Sequence, residues 1–170
     1  MIANDMIYTY PNLTRDVVAH ELLHNYMPFY MGFNETMYGW MDEGWACFLE
    51  NKFNADSSVS NSGTYNLYPY YAGRHFDQPL IYATIEAEMT FYDFHAYIKS
   101  WIKLNLLEEL LGKEVFFKAT RSFMTSWHGK HPTPYDFFYT FNRVSRKNLN
   151  WFWRACYFDF GYADLGIKSG

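Results

Sequence analysis

The sequence predicts a mainly α-helical protein. The clearest helix start has Thr133 at the N-cap, Pro134 at the first helical position and Asp136 three residues after the cap. Gly112 follows a helical pattern over residues 95–111 and stands where glycine commonly closes a helix. No internal repeat or low-complexity tract is present.

The chain begins with an extended segment that leads into the first predicted helix. We expect residues 1–13 to be extended and Thr14 to be the N-cap of this helix. Asp16 would lie in the first turn, where an acidic side chain complements the helix dipole. The helix should end by Met27, because a residue before proline is disfavoured in the helical region.

A loop over residues 32–39 is predicted to join this helix to a second one over residues 42–52, with Glu43 in its first turn. Residues 54–79 are rich in turn formers and predict a long loop. Its tyrosines are Tyr65, Tyr68, Tyr70 and Tyr71. Two interpretations stay open: the tyrosines line a substrate cleft, or they pack on the surface as an aromatic loop.

From residue 79 onward the chain is predicted to be helical almost to its end. The expected helices span residues 80–89, 95–111, 113–127, 134–145 and 149–158. Residues 161–165 are expected to be extended.

The composition of the 170 residues fits one domain and limits its partners. A net charge of −4 without a basic run argues against nucleic acid as a partner. No apolar run is long enough to span a membrane, and the N-terminus lacks the regions of a signal peptide. Aromatic residues make up 22% of the chain, which is expected either of a surface that packs on another domain or of an aromatic-rich lone domain.

The two cysteines, Cys47 and Cys156, lie in segments that predict buried helix. Free cysteine behaves there as a small hydrophobe. A disulfide between them is the alternative, so the cysteines indicate no cellular compartment.

The most informative stretch runs from His20 to His24, with Glu21 beside His20. Positions i and i+4 lie on one face of a helix, so the two imidazoles can bind one metal ion. The pattern is a known zinc protease signature. A catalytic zinc takes three protein ligands and keeps one position open. Glu43, on the next predicted helix, is the candidate for the third ligand.

A helix without a metal is the alternative interpretation of this motif. Val17, Val18, Leu22 and Leu23 give the segment an apolar side, so that it is suited to burial. Two histidines and a glutamate buried without partners would be costly, and a metal ion would offset that cost.

The spacing of the motif resembles that of a known family. His-Glu-x-x-His is followed after eighteen residues by a glutamate within a Trp-x-x-Glu-Gly-aromatic-Ala string, as in the gluzincin zinc metallopeptidases of the aminopeptidase N family, which includes leukotriene hydrolase. The matching strings are Val18-Ala19-His20-Glu21-Leu22-Leu23-His24 and Trp40-Met41-Asp42-Glu43-Gly44-Trp45-Ala46. Asp42 replaces the asparagine usual in the family. The aromatic stretch of residues 25–32 is similar to the bacterial branch.

The resemblance extends to a tyrosine on the predicted long helix. In the family, a tyrosine of a Tyr-x-Lys-Gly string stands fifteen residues before the glycine of a Leu-Leu-Gly turn, and its hydroxyl stabilises the transition state. Tyr97 and Lys99 match this string, and Tyr97 stands fifteen residues before Gly112. Ser100 replaces the glycine of the Tyr-x-Lys-Gly string. Tyr92 is the alternative for this role.

The other histidines are His75, His95, His128 and His131. His128 and His131 could form a second metal pair, but a helix end, where positive groups suit the dipole, is the preferred interpretation. His75 and His95 are too isolated to assign.

The resemblance implies the helical lobe of a thermolysin-like catalytic domain that hydrolyses peptide bonds. His20, His24 and Glu43 would hold one zinc ion, Glu21 would be the general base and Tyr97 would stabilise the oxyanion. We expect residues 1–170 to be a single partial domain that packs on an upstream lobe and sheet domain. The alternatives are an inactive module that binds zinc and a metal-free helical domain that docks on a partner.

Overall fold

The computed structural model of the chain describes residues 9, 11–53, 68–74, 77–86 and 89–160. Its helices include α1 (Pro11–Leu23), α2 (Gly39–Phe53), α3 (Met89–Tyr92), α4 (Ser100–Leu111), α5 (Lys113–Trp127), α6 (Pro134–Ser145) and α7 (Asn150–Trp153). A helical turn also covers residues 68–71, within the predicted long loop. No strand occurs in these ranges, so the predicted mainly α fold is confirmed.

Irregular helical pieces connect several of these elements. A kinked segment, Asn25–Tyr30, follows α1, and Met27 within it is extended with φ −129° and ψ 100°. The steric demand of Pro28 explains why the helix does not continue through Met27. A π-helical segment, Asp93–Lys99, joins α3 to α4, and a π-helical turn, Arg154–Phe158, continues α7.

Where local signals in the sequence set the helix boundaries, the observed boundaries agree with the predicted ones. Helix α5 spans the predicted residues, and α6 begins with the expected capping box, in which the main-chain N–H of Thr133 donates to Asp136 Oδ2 at 2.8 Å. Gly112 closes α4 with a φ of 79°, in the region that glycine tolerates.

Two predicted elements are wrong. Thr14 is not an N-cap and Asp16 is not in a first turn, because α1 already includes Pro11, a residue that suits the first turn of a helix. The helix expected over residues 80–89 is also absent over its first half, where turns lead into a 3₁₀ helix, Thr84–Glu86.

Tertiary hydrogen bonds explain this second difference. The main-chain N–H of Ile81 donates to Tyr157 O at 2.9 Å, and that of Thr84 donates to Met37 O at 3.1 Å. These amides therefore serve the contact with other elements and are not available for the ladder of an α-helix.

Helix α2 begins three residues earlier than predicted, at Gly39, so that Glu43 lies in its second turn. The main-chain N–H of Gly39 donates to the hydroxyl of Thr84 at 2.7 Å, which satisfies one of the free amides at this helix end. Residues 54–67, with Tyr65, and the tail over residues 161–165 lie outside the described part of the chain.

The core is aromatic and lies on one side of α2. Trp40, Trp45 and Phe48 of α2 are fully buried. They pack with aromatic residues of α5, α6 and the C-terminal helical turn, namely Phe116, Phe137, Phe138 and Tyr157. Both cysteines are free, so no disulfide joins Cys47 and Cys156.

Helix α1 packs on α2 through its polar side. Its apolar residues are not buried as expected: Val18 is 40% exposed and Leu22 is 61% exposed. No helix in the described ranges is long and apolar enough to cross a membrane.

Candidate metal centre

The predicted ligands meet where α1 and α2 pack together. His20 and His24 stand one turn apart on α1, and Glu43 faces them from α2. The Nε2 atoms of His20 and His24 lie 3.0 Å and 3.3 Å from the same carboxylate oxygen, Oε2 of Glu43. One donor atom from each of the three residues lies within 4.8 Å of the other two, so that the group could hold a metal ion.

The hydrogen bonding of His24 fixes the state of its ring. Its Nδ1 lies 3.0 Å from the main-chain carbonyl of Met27, which can only accept, so Nδ1 carries a proton. Nδ1 also lies 2.6 Å from Asp42 Oδ1, and this contact is an ion pair and not a second hydrogen bond. In the neutral ring, Nε2 would therefore turn a lone pair toward the carboxylate of Glu43. A second proton or a metal ion is needed to make this contact attractive.

His20 leads to the same conclusion by a different route. Its Nε2 faces Glu43, and its Nδ1 lies 3.1 Å from Oε2 of Glu50. A neutral imidazole has one N–H, so one of its nitrogens would oppose a carboxylate with a lone pair. The ring must carry two protons or one proton and a cation. The carboxylates thus create a site for positive charge at both Nε2 atoms.

The pKa values describe this site without a metal ion. Burial acts to lower the pKa of His20, but contacts with Cys47, Glu43 and Glu50 raise it to about 12. Contacts with Asp42 and Glu43 raise the pKa of His24 to about 10. Burial opposes the charge of Glu43, yet His20, His24 and Tyr97 lower its pKa to about 2. The metal-free centre therefore holds two imidazolium rings against the ionised carboxylate of Glu43.

The donor set fits zinc. Two imidazoles and one carboxylate are a known ligand set of catalytic zinc sites. The second nitrogen of each imidazole is held by a carboxylate or a carbonyl, which is the usual way in which the rings of metal ligands are oriented.

Tyr97 also lies at this centre. Its hydroxyl donates to Oε1 of Glu43 at 2.5 Å, and its ring stacks on His20 with centroids 6.0 Å apart. Burial and the bond to Glu43 raise the pKa of Tyr97, so the phenol keeps its proton.

The π-helical segment explains why two tyrosines reach this place. In a π-helix, residues five apart lie nearly one above the other. Tyr92 immediately precedes the segment, and its ring lies 5.9 Å from that of Tyr97. Burial raises the pKa of Tyr92 to about 12. Both candidates for the tyrosine role are therefore near the candidate metal centre, and of these two tyrosines it is Tyr97 that bonds to Glu43.

A cleft of about 640 Å³ opens beside Glu43. Its walls include the acidic residues Glu35 and Asp42, together with Ile85 and Tyr92. Glu21 is exposed on α1 and is not among the described residues that line this cleft.

The loop tyrosines do not line the cleft within the described part of the chain. Tyr68 and Tyr71 pack against Phe94, with centroids 5.9 Å and 4.9 Å away, and Tyr70 is 73% exposed. This supports the interpretation as surface packing for these three residues.

The remaining histidines have other contacts. His128 Nδ1 and His131 Nδ1 donate to the carbonyls of Met124 and Gly32, and neither belongs to a group of potential ligands among the described residues. Buried His95 donates to Pro79 O at 3.1 Å, and burial lowers its pKa to about 4. His75 lies outside the described residues.

Sequence reasoning missed two carboxylates of this centre. Glu50 follows Glu43 by seven residues, a spacing that places both on one face of α2 and could have identified it. Asp42 stands where the family usually has asparagine, and its carboxylate contacts His24. His24 and Asp42 belong to different elements and are eighteen residues apart, so no local spacing indicates this contact.

Helices that hold two histidines, a glutamate and a tyrosine around one point resemble the zinc centres of metallopeptidases. The family model of the peptidase family M1 domain matches residues 4–156, and the chain belongs to this family. This confirms the resemblance to the aminopeptidase N family and the interpretation as a helical lobe of a gluzincin domain. Comparisons with curated proteins and with solved structures gave no match.

Proposed function

We propose that the chain carries the zinc centre of a peptidase and that the complete protein hydrolyses peptide bonds as an aminopeptidase. The observation that carries this proposal is the convergence of both Nε2 atoms on one oxygen of Glu43, in a chain of a peptidase family. The cleft beside Glu43 is where the peptide would lie.

His20, His24 and Glu43 would hold the zinc ion. When bound, zinc would polarise the peptide carbonyl and make a bound water more acidic. The carbonyl of Met27 would orient the ring of His24 through its Nδ1, and Glu50 would orient that of His20 in the same way.

Glu21 is the proposed general base. Its support is its position beside His20 in the motif on α1, with a side chain that is exposed to solvent. It would accept the proton of the attacking water and deliver it to the leaving amine.

Tyr97 is the proposed donor to the oxyanion. Its protonated hydroxyl already points at the centre, where it bonds to Glu43. A shift of this hydrogen bond from Glu43 to the substrate oxygen would stabilise the negative charge that develops there. Loss of such a donor typically costs about 3 kcal/mol in the transition state.

The exposed apolar side of α1 is the proposed contact with the rest of the peptidase domain. Leu22 and Val18 lie there, and Phe29, which is also exposed, follows in the kinked segment. Apolar side chains grouped on a surface commonly mark an interface.

Two other functions remain to be separated from this one. The centre could bind zinc in a module without activity, or the helices could act as a metal-free docking domain. Zinc content distinguishes the proposed peptidase from the metal-free docking domain. Hydrolysis distinguishes it from the module that binds zinc without activity.

The test is elemental analysis after the protein is equilibrated with one equivalent of zinc and desalted. We expect about one zinc per chain for the unmodified protein and for His128→Ala, a control at an exposed histidine away from the centre. His20→Ala, His24→Ala and Glu43→Ala should each lose most of the metal. Unchanged zinc in these three variants would contradict the ligand assignment.

Hydrolysis of an alanyl anilide by the complete protein tests the catalytic roles. Glu21→Gln should retain zinc and lose activity, because the amide keeps the shape of the carboxylate and cannot take the proton. Tyr97→Phe should lower kcat more than it raises KM. Full activity of Glu21→Gln would contradict the general-base role.

A further inference from the structure

The polar face of α2 extends beyond Glu43. Cys47 and Glu50 follow Glu43 by four and seven residues, so the three side chains form a row along one face of the helix. This row faces α1. The proposed zinc centre uses only its first member as a ligand, so a thiol and a carboxylate remain beside His20.

These two groups and His20 lie close enough to share an ion. One donor atom from each of His20, Cys47 and Glu50 lies within 4.8 Å of the other two. Within this group, Nδ1 of His20 is 3.1 Å from Oε2 of Glu50. All three residues are partly exposed, which leaves a path for an ion from solvent.

We propose that His20 Nδ1, Cys47 Sγ and the Glu50 carboxylate form a second cation site, adjacent to the zinc centre on the other side of the His20 ring. Three protein ligands would leave a fourth position for water. On binding, the Cys47 thiol and His20 Nδ1 each release their proton to solvent.

The ligand chemistry selects the ion. A thiolate with an imidazole favours zinc, cobalt or cadmium, whereas magnesium and calcium prefer oxygen ligands alone. Because the two sites share one ring, an ion in each would repel the other, and the second ion binds more weakly. Binding of the second ion would also break the contact between His20 Nδ1 and the Glu50 oxygen, because this oxygen would then bind the ion.

Cobalt(II) distinguishes the two sites by spectroscopy. The zinc centre has no sulfur ligand, whereas the second site contains a thiolate, which gives a sulfur-to-cobalt charge-transfer band in the near ultraviolet. Titration of the unmodified protein with excess cobalt should produce this band.

Substitutions test which residues supply the sulfur ligand and the oxygen ligand of the second site. Cys47→Ser should abolish the band, whereas Cys156→Ser, the matched control at the other cysteine, should retain it. Glu50→Gln should weaken cobalt binding in this site at least about tenfold, as expected for the loss of a charged ligand. His24→Ala damages only the zinc centre and should retain the band, so that failure of one site is distinguished from failure of the other. Circular dichroism checks that each variant is folded.

The absence of a sulfur band at excess cobalt would overturn the proposal. A band that survives in Cys47→Ser, or one that is lost in Cys156→Ser, would overturn it as well. If Glu50→Gln showed the band with an unchanged affinity for cobalt, the Glu50 carboxylate would not be a ligand of the proposed site.

Discussion

The two sides of helix α2 use buried residues for different purposes. On the aromatic side, Trp45 packs against Phe48, Phe116 and Phe137 with centroids 5.8 to 6.0 Å apart. On the polar side, Glu43 faces two imidazoles that need additional positive charge. The aromatic side is stabilised by packing, although its indole N–H groups have no acceptor among the described residues. The polar side needs protons or a cation to balance its carboxylates. Aromatic packing and the proposed metal binding thus use different sides of one helix.

The largest effect should come from Trp45→Ala on the aromatic side. Truncation of a fully buried tryptophan should lower the free energy of unfolding by about 3–5 kcal/mol, through lost burial and the cavity left behind. Urea unfolding measures this. Zinc per folded chain should stay unchanged, because no ligand is altered.

Trp151→Ala is the matched control, since Trp151 is 61% exposed. Its cost should be a small fraction of that of Trp45→Ala. Equal costs for the two variants would show that the aromatic side does not carry the stability of the helix.

The polar side should respond to pH. With pKa values of about 12 for His20 and about 10 for His24, both rings are protonated in the metal-free chain between pH 6 and 8. Zinc would displace one proton from each ring, while Glu43, whose pKa is about 2, has none to lose. Zinc affinity should therefore rise about 100-fold for each pH unit.

Calorimetry in buffers of different ionisation enthalpy counts the protons released, and about two per zinc are expected at pH 7. The metal-free protein should follow the opposite trend. Since the histidine pKa values are raised on folding, their contribution to stability is fully present below pH 6.5 or so, and is lost as the pH rises through the folded values. Zinc affinity independent of pH would contradict the ion-paired state of the two rings.

The smallest effect concerns the face of α2 that packs on α4. A Cβ atom at Gly44 would lie 2.6 Å from both Cβ and Oγ of Ser100. Gly44→Ala should therefore cost about 1–3 kcal/mol in the free energy of unfolding, as overpacking does.

Ser100→Gly removes the atoms that meet this methyl group. In a double-mutant cycle by urea unfolding, Gly44→Ala should cost less in the Ser100→Gly background than alone. Additive costs would show that the two helices separate freely at this contact.

The parts of this structure that could be predicted are those with local causes. The capping box at Thr133 and the glycine at residue 112 fix α5 and α6 from a few neighbouring residues. The segment around Ile81 could not be predicted, because its amides bond to residues far away in sequence. The same distinction applies to the site: the spacing of His20, His24 and Glu43 indicated the cluster, whereas the contact of Asp42 with His24 joins two elements and has no local signal.

The position of Tyr97 depends on the register of one long helical rod. The π-helical segment Asp93–Lys99 accommodates an additional residue relative to a regular α-helix. Removal of one residue between Tyr92 and Tyr97 would restore the regular repeat and leave the two tyrosines four residues apart, still on one face of the helix. A regular α-helix that kept all the residues would instead turn residues five apart about 140° away from each other around the axis. The wider turn of the π-helical segment therefore lets the rod hold the additional residue while both tyrosines keep their place at the cleft.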